Sequence, residues 1–582
     1  MKGIKAIFAA AAVLTAMVNV VPAHAAVQVK VMIAGSSAMW QSMGLGAYNT
    51  GACVSGGTKP CHHYTSTGSF NLTDTRPTLV GGTNVTDTGA IWIVWDSAAT
   101  THVWAYIKVD SVVGDRCYFA QPRCNVNIAT FPAPGNQISS ALWGDNSADA
   151  TPPAAVQALF TAASGLAVNV AATDIRPEDG LFAQCRANSA LGGGLDGVDG
   201  LGWGTNASGS CPALGAPLSQ LVGTDVVSGV TGTVASAHPV AFNISGTDPF
   251  SGTAIPAPTT VPVGAAPIVF VTSTSTTTGN LGPVTNATDA QLQTLFSGTN
   301  CNASVLTGGV AGNVQVYLRE PFSGTMNTTE YTVFRYPNED GKSQEAGVGA
   351  VKLSNTPCTA GGGRTRSIGT GDEIKGVQTS VANTTQDGIG YAFFSYGNVS
   401  KLASQAGVFR YLTLNGVDGI FASYAGGDPG EPGNGVIPGA TNLPATCVGG
   451  FPCPESAIWT GGKSFPHVRD GSYRAWSTLR VVSNGTALTN VKVLVGKSNF
   501  FAVQSVPDYI PFSAVKQTVG GVVTTLDPGF LKQRSHYGPG AHNTGTTEAG
   551  RDAGGCIQGK GSAVINLVQH APGKACSTFV PN

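Results

Sequence analysis

The segment from Val314 to Phe334 limits what this chain can become more than any other. Val314-Gln315-Val316-Tyr317-Leu318 alternates as a strand does, and Met326, Val333 and Phe334 fall on one face of the helix-like run that follows. Between them stands Arg319-Glu320-Pro321-Phe322-Ser323-Gly324-Thr325. The motif therefore sits on a strand-to-helix turn. Such a turn aims unpaired backbone N–H groups and the positive end of the helix dipole at one point. Ser323 and Gly324 are small enough for an oxyanion to approach, Arg319 brings a planar fork of donors, and the hydroxyls of Ser323 and Thr325 add two more. The residues read as an anion site. The structural alternative is that Ser323 merely caps the helix and Arg319 pairs with a surface carboxylate.

Other stretches repeat this grammar. Val27 to Ile33 alternates as a strand, Gly35-Ser36-Ser37 turns, and Met39, Trp40, Met43 and Ala47 share a helical face. The hydroxyl of Ser36 or Ser37 would serve either an anion or an ordinary N-cap, and Ala38 is the next position of that turn. Val168 to Thr173 reads as a strand ending in an acid, Asp174, followed by Ile175-Arg176-Pro177. Ala265 to Thr272 is a buried strand, and Thr288-Asp289-Ala290-Gln291 is a capping box ahead of Leu292, Leu295 and Phe296, with Gly298 as the stop. Ile374, Val377 and Val381 mark a helix, Asp387 to Ala392 a turn into a strand, Tyr473 to Val482 a strand, and Val491 to Val495 another. Cys124 to Ala129 is expected as a strand of the same frame.

The first residues carry an export signal: Lys2 and Lys5, an apolar run from Ile7 to Val21, and Ala23-His24-Ala25, with cleavage expected after Ala25. The twelve cysteines fall into neighbours in sequence: Cys53 and Cys61, Cys117 and Cys124, Cys185 and Cys211, Cys301 and Cys358, Cys447 and Cys453, Cys556 and Cys576. In an exported chain that pattern predicts six local disulfides and an oxidising compartment, periplasmic or extracellular. Cys61-His62-His63 has no second ligand pair at metal spacing, so no metal and no cofactor is expected. Lys and Arg number 31 against 32 acidic residues, and only 11% of the chain is charged, so neither nucleic acid nor an anionic membrane is an expected partner. Any bound anion must be recognised locally.

Nine histidines and many serines and aspartates make catalytic groupings easy to imagine. The sequence shows no Gly-x-Ser-x-Gly elbow on a strand-to-helix turn, no His-Glu-x-x-His and no Gly-x-x-x-x-Gly-Lys. His467-Val468-Arg469-Asp470 with Tyr473 is polar enough for a site rim, or for a solvated loop. No catalytic residues are assigned. A secreted phosphate-ester hydrolase and an extracellular scaffold remain as the other function classes.

The spacing Arg-x-x-x-Ser-Gly-Thr at Arg319 to Thr325, preceded by the strand, the capped helix ending in Phe296-Ser297-Gly298 and a further strand, resembles the phosphate-binding proteins of ABC transporters. Thr130-Phe131-Pro132-Ala133-Pro134 is similar to a tract of that family's first loop, and Ile389-Gly390-Tyr391 to one of its later strands. The resemblance implies a two-lobed periplasmic-binding-protein fold of the α/β class, each lobe a mixed β-sheet flanked by helices, decorated by disulfide-stapled loop and β insertions. It implies phosphate ligands at Arg319, Ser323, Gly324, Thr325, Ser36, Ser37 and Asp174, with Ala38, Ser139 and Ser140 as further possible positions. Asp174 would accept the proton of hydrogen phosphate and repel sulfate, unless Arg176 neutralises it. The implied division is a first part of lobe 1 over 26–260 with insertions around 50–124 and 185–258, and lobe 2 over 261–475 with a loop insertion at 426–463. A return to lobe 1 and a stapled extension would occupy 476–582. Inorganic phosphate, or a similar oxyanion, and an ABC permease are the implied partners of a monomeric chain.

Overall fold

The computed structural model describes most of residues 27–184, 241–334, 356–394, 409–425 and 465–511, together with Gln344, Gly435 and short strand pairs at 222–233, 515–526 and 557–568. The expected signal peptide, nearly all of the 426–463 insertion and the six cysteines 185, 211, 447, 453, 556 and 576 lie outside the described residues. The other six cysteines pair as sequence neighbours: Cys53–Cys61, Cys117–Cys124 and Cys301–Cys358.

The fold is α/β and two-lobed, built on one mixed sheet of fourteen strands that runs through both lobes. In lobe 1, β1 (Val27–Gly35) leads through a 3-10 turn into α1 (Trp40–Tyr48), and β2 (Cys61–Thr65) follows. Next come β3 (Phe70–Asp74), β4 (Val85–Gly89), β5 (Ile91–Asp96) and β6 (Thr101–Lys108), then α2 (Ser111–Phe119). The lobe continues with β7 (Asn125–Asn127), β8 (Leu166–Ala167) and β9 (Val170–Thr173).

Lobe 2 opens with the fifteen-residue β10 (Thr259–Ser273) and holds α3 (Asp289–Phe296), β11 (Val314–Arg319), α4 (Gly324–Thr329), β12 (Gly363–Ser367), α5 (Thr370–Thr384), β13 (Asp387–Phe393) and β14 (Phe409–Leu414). The chain returns through β15 (Trp476–Ser483) and α6 (Gly485–Gln504). Along the sheet the order is β12-β11-β13-β10-β15-β9-β1-β6-β5-β2.

The lobes share strands. The first half of β10 pairs with β15 from Thr259↔Ser483 to Pro267↔Trp476, while its second half pairs with β13 and β14. β15 also pairs with β9, so it joins the two halves of the sheet. The capping box forms as the sequence predicts: the Gln291 N–H donates to the Thr288 hydroxyl at 3.3 Å, and the Thr288 N–H to the Gln291 amide oxygen at 2.8 Å.

Three expectations fail, each for a physical reason. The stretch around 50–124 is not one inserted decoration, because β6 lies parallel to β1 in the main sheet and β5 pairs with β6. Its side chains show why: Ile91, Ile93, Trp95, Val103, Ala105 and Ile107 pack on one face, Trp92, Val94, Trp104 and Tyr106 on the other. Strands buried on both faces are central strands. Cys124 to Ala129 does not supply a frame strand, since β7 pairs with β3 and β8 in a separate four-stranded sheet with β4. Val491 to Val495 is not a strand but the middle of α6. Val491, Leu494, Val495, Ser498 and Asn499 are buried while Lys492, Val493, Gly496 and Lys497 are exposed, a helical period that tertiary packing imposes on a β-branched run.

The 241–256 segment is fastened to lobe 1 by charge. The Asp248 carboxylate accepts from Arg76 at 2.7 Å, from the Gln121 N–H at 3.1 Å, and from the Phe250 and Ser251 N–H groups at 2.9 Å each. Arg76 also donates twice to Asp74, and Arg116 donates to Asp87.

Candidate functional site

Arg319 is the last residue of β11, which lies parallel to both β12 and β13. Its neighbours on the strand are buried, so the chain delivers its guanidinium at the carboxyl end of the sheet, where α/β folds place ligands. The turn is closed by its own groups. The Ser323 N–H donates to the Glu320 carbonyl at 3.0 Å, and the Asn327 amide donates to the carbonyls of Pro321 at 2.6 Å and Ser323 at 2.9 Å. The Ser323 hydroxyl accepts from the Met326 N–H at 3.3 Å as the N-cap of α4.

Lobe 1 meets this turn with two of its own. The N-terminus of α2, entered from β6 through Asp110, sends the Val112 N–H to the Phe322 carbonyl at 3.3 Å. Asp174, one residue past β9, is buried and accepts from the Ser111 hydroxyl. A Cβ on Gly324 would overlap the Asp174 carboxyl and crowd the Ser111 oxygen at 2.7 Å, so only glycine lets the two lobes close to this distance. Ser36 stands beside them: its N–H donates to the Ala172 carbonyl at 2.8 Å, its hydroxyl accepts from the Ala38 N–H at 3.2 Å, and its carbonyl accepts from Tyr106.

The electrostatics are uneven. Arg319 donates to Glu320 through Nε at 2.9 Å and Nη2 at 3.0 Å, to Asp110 at 2.8 Å, and to the Thr370 hydroxyl. Burial would lower its pKa, but the Glu320 and Asp110 charges raise it, so it is a fixed cation. Burial would raise Glu320, yet the bidentate Arg319 contact holds it far below the ordinary range. Asp174 goes the other way: burial pushes it up to about 6, against the pull of its own amide, Arg319, Ser36 and Arg480. Burial likewise raises Glu373 well above the carboxylate range, although Arg319 draws it down.

The sequence-derived residues therefore divide. Arg319, Ser323, Gly324, Asp174 and Ser36 meet at one buried point, and Thr325 lies buried in the first turn of α4. Ser37 begins the 3-10 turn and is half-buried, while Ala38 gives its N–H to Ser36. Ser139 is exposed and Ser140 begins a helical turn, Ser140–Trp143, against α1. The hydroxyl that reaches Asp174 is that of Ser111, which follows β6 rather than β7. The cations that pull on Asp174 include Arg319 and Arg480. Thr130 to Pro134 lies away from this point, with Phe131 against Tyr64, Phe70 and Phe160. His467 bonds Ser472 and the Ala422 carbonyl rather than forming a rim. Asp110, Ser111, Glu320 and Thr370 were missed. Glu320 stood inside the motif and was readable as the partner of Arg319; Asp-Ser before an apolar helix at 110–111 was readable as a cap.

Chemically, the cluster surrounds one cation with the carboxylates Asp110, Glu320 and Asp174 and the hydroxyls of Ser36, Ser111 and Thr370. Four of the five Arg319 N–H groups are already taken, so an incoming anion must share or replace Asp110.

No protein-family model matches the chain, and no curated protein matches it. Among solved structures it is similar to a putative phosphate ABC transporter substrate-binding protein with bound phosphate from Clostridium perfringens, at 18% identity and a TM-score of 0.23, over 41% of this chain and 65% of that one. It is similar to a phosphate-binding protein from Stenotrophomonas maltophilia at 13% identity and a TM-score of 0.30, over 73% and 80% of the two chains. A DING protein aligns at 14% identity and a TM-score of 0.30, over 80% and 85%. No helix among the described residues is long and apolar enough to cross a membrane.

Proposed function

We propose that this chain is an exported solute-binding protein that holds an oxyanion, inorganic phosphate, between its lobes and presents it to an ABC permease. One observation carries the reading: the Arg319–Thr325 turn of lobe 2 closes directly on Asp174 of lobe 1, with Gly324 against the carboxyl. A buried guanidinium, an N-terminal helical turn and the Asp110 carboxylate that an anion could replace suit an oxyanion. An acid that can accept a proton suits hydrogen phosphate over sulfate, because a carboxylate repels an anion that has no proton to give. Drawing groups from both lobes means that a bound anion favours the closed form.

The test is calorimetric titration of ligand-stripped protein with phosphate and with sulfate. Saturable phosphate binding, at least tenfold tighter than sulfate at pH 8, is the expected result. Arg319→Ala abolishes it, and Asp174→Asn removes the preference while keeping the binding. Because Asp174 takes up a proton near pH 6, the preference in the native protein also shrinks below pH 5. No heat with either anion, in protein that melts cooperatively, overturns the reading and returns the chain to the scaffold class.

A further inference from the structure

His63 stands on β2, the last strand of the sheet order on the lobe 1 side, with β1, β6 and β5 between it and β9. Its ring is buried and linked at both nitrogens: Nδ1 lies 2.9 Å from the Asp149 carboxylate and Nε2 lies 2.8 Å from the Ser147 hydroxyl. Asp149 is itself held by the Thr65 N–H at 2.8 Å, the Thr65 hydroxyl at 2.5 Å and the Asn136 N–H at 2.8 Å. Burial would raise that carboxyl, but the bonds from His63 and Thr65 keep it below its ordinary range, so it is a carboxylate. A carboxylate at Nδ1 takes the imidazole proton there; in the neutral ring Nε2 is then the acceptor for the Ser147 O–H. The ring is fixed in that pose by Trp143, stacked at 4.1 Å and 13°, and by the edge of Tyr48 at 5.0 Å. Ser147 is only half-buried.

We propose that Ser147 is an activated nucleophile for small carboxylic esters, with His63 as its general base and Asp149 positioning the imidazole. This is the arrangement of a serine hydrolase, met here without any elbow motif. The bonds from Thr65 and Asn136 already hold the Asp149 carboxylate without using the far imidazole nitrogen. In the reaction the Ser147 oxygen bonds to the ester carbonyl carbon while its proton passes to Nε2. The alcohol leaves with that proton, and the acyl group stays on the oxygen. Water then repeats the sequence: its proton goes to Nε2 and on to Ser147, and the carboxylic acid departs. The site is separate from the interlobe cluster and stands or falls independently of phosphate binding.

The test treats the intact protein with a fluorophosphonate, whose phosphorus bonds to the serine oxygen as fluoride leaves, and maps the adduct by peptide mass spectrometry. p-Nitrophenyl acetate turnover is followed in parallel. The expected adduct is on Ser147, and Ser147→Ala abolishes both labelling and turnover with its phosphate titration unchanged. His63→Gln slows labelling, and Asp149→Asn, which forces the ring proton onto Nε2, slows it by roughly 100-fold or more. A native protein that melts cooperatively yet gains no adduct on Ser147 overturns the proposal. So does labelling of Ser147 at an unchanged rate in folded His63→Gln; where that variant does not fold, the native protein and Ser147→Ala decide the matter.

Discussion

Two buried clusters in this protein surround arginines with carboxylates, and each holds one carboxyl tuned in the opposite direction from the other's. In the lobe 1 cluster, Asp248 receives Arg76 and three backbone N–H groups, and although burial would raise its pKa, these partners pull it below the ordinary value. In the interlobe cluster, burial lifts Asp174 to about 6 against the pull of its own amide, Arg319, Ser36 and Arg480. Both hold ion pairs of similar length, 2.7 Å for Arg76 with Asp248 and 2.8 Å for Arg319 with Asp110. Ion pairs alone therefore do not distinguish a fastening from a site. What separates them is the state of the carboxyl, drawn down at Asp248 and pushed up at Asp174.

The largest expected effect is on the fastening. Arg76→Ala strands Asp74 and Asp248 in the interior, and urea denaturation should show a loss of about 3–5 kcal/mol. In whatever fraction folds, phosphate titration should be unaltered. Second is the pH response. The folded pKa of Asp174 lies above the unfolded one, so its contribution is complete below pH 4 and is lost as pH rises to about 6. Asp174→Asn should remove a decline on the order of 3 kcal/mol across that window, read from melting curves at each pH. Asp248→Asn should have the opposite sign, because a depressed carboxyl contributes above its unfolded pKa and is lost on acidification. Equal slopes in the two variants would break the comparison. Third, Gly324→Ala forces a methyl into the Asp174 carboxyl; a cost of about 1–3 kcal/mol and loss of phosphate binding are expected by denaturation and calorimetry. Smallest, Ser111→Ala removes one hydrogen bond to Asp174 and should cost about 1 kcal/mol, with Ser139→Ala as the silent control.

The fold was legible where its signals are local. The capping box at Thr288, the strand into Arg319 and the turn at Gly35-Ser36 each declare themselves within a few residues, and each forms as read. The failures are places where packing overrides local preference. Val491 to Val495 is β-branched but lies along α1, and contact with that helix selects the helical period. The run from Ile91 to Lys108 looks like an added hairpin until β1 is placed beside β6. At the candidate site, the motif named Arg319, Ser323, Gly324 and Thr325, but Asp110, Ser111 and Thr370 arrive through the fold and carry no common spacing with them. The group formed by His63, Ser147 and Asp149 is harder still, since more than eighty residues separate His63 from the other two and only the sheet edge brings them together.

The shared strands also set an order of events. β15 lies between β9 and β10, and the Ser477 hydroxyl that bonds the Asp174 carbonyl comes 303 positions after it in the chain. Until residue 476 has been made, both β9 and β10 present an open strand edge, and neither lobe can complete its sheet. Pairing across so long a loop is intrinsically slow. The unfinished edges are templates for association in the meantime. A chain cut short before Trp476 should therefore aggregate rather than fold as a free first lobe.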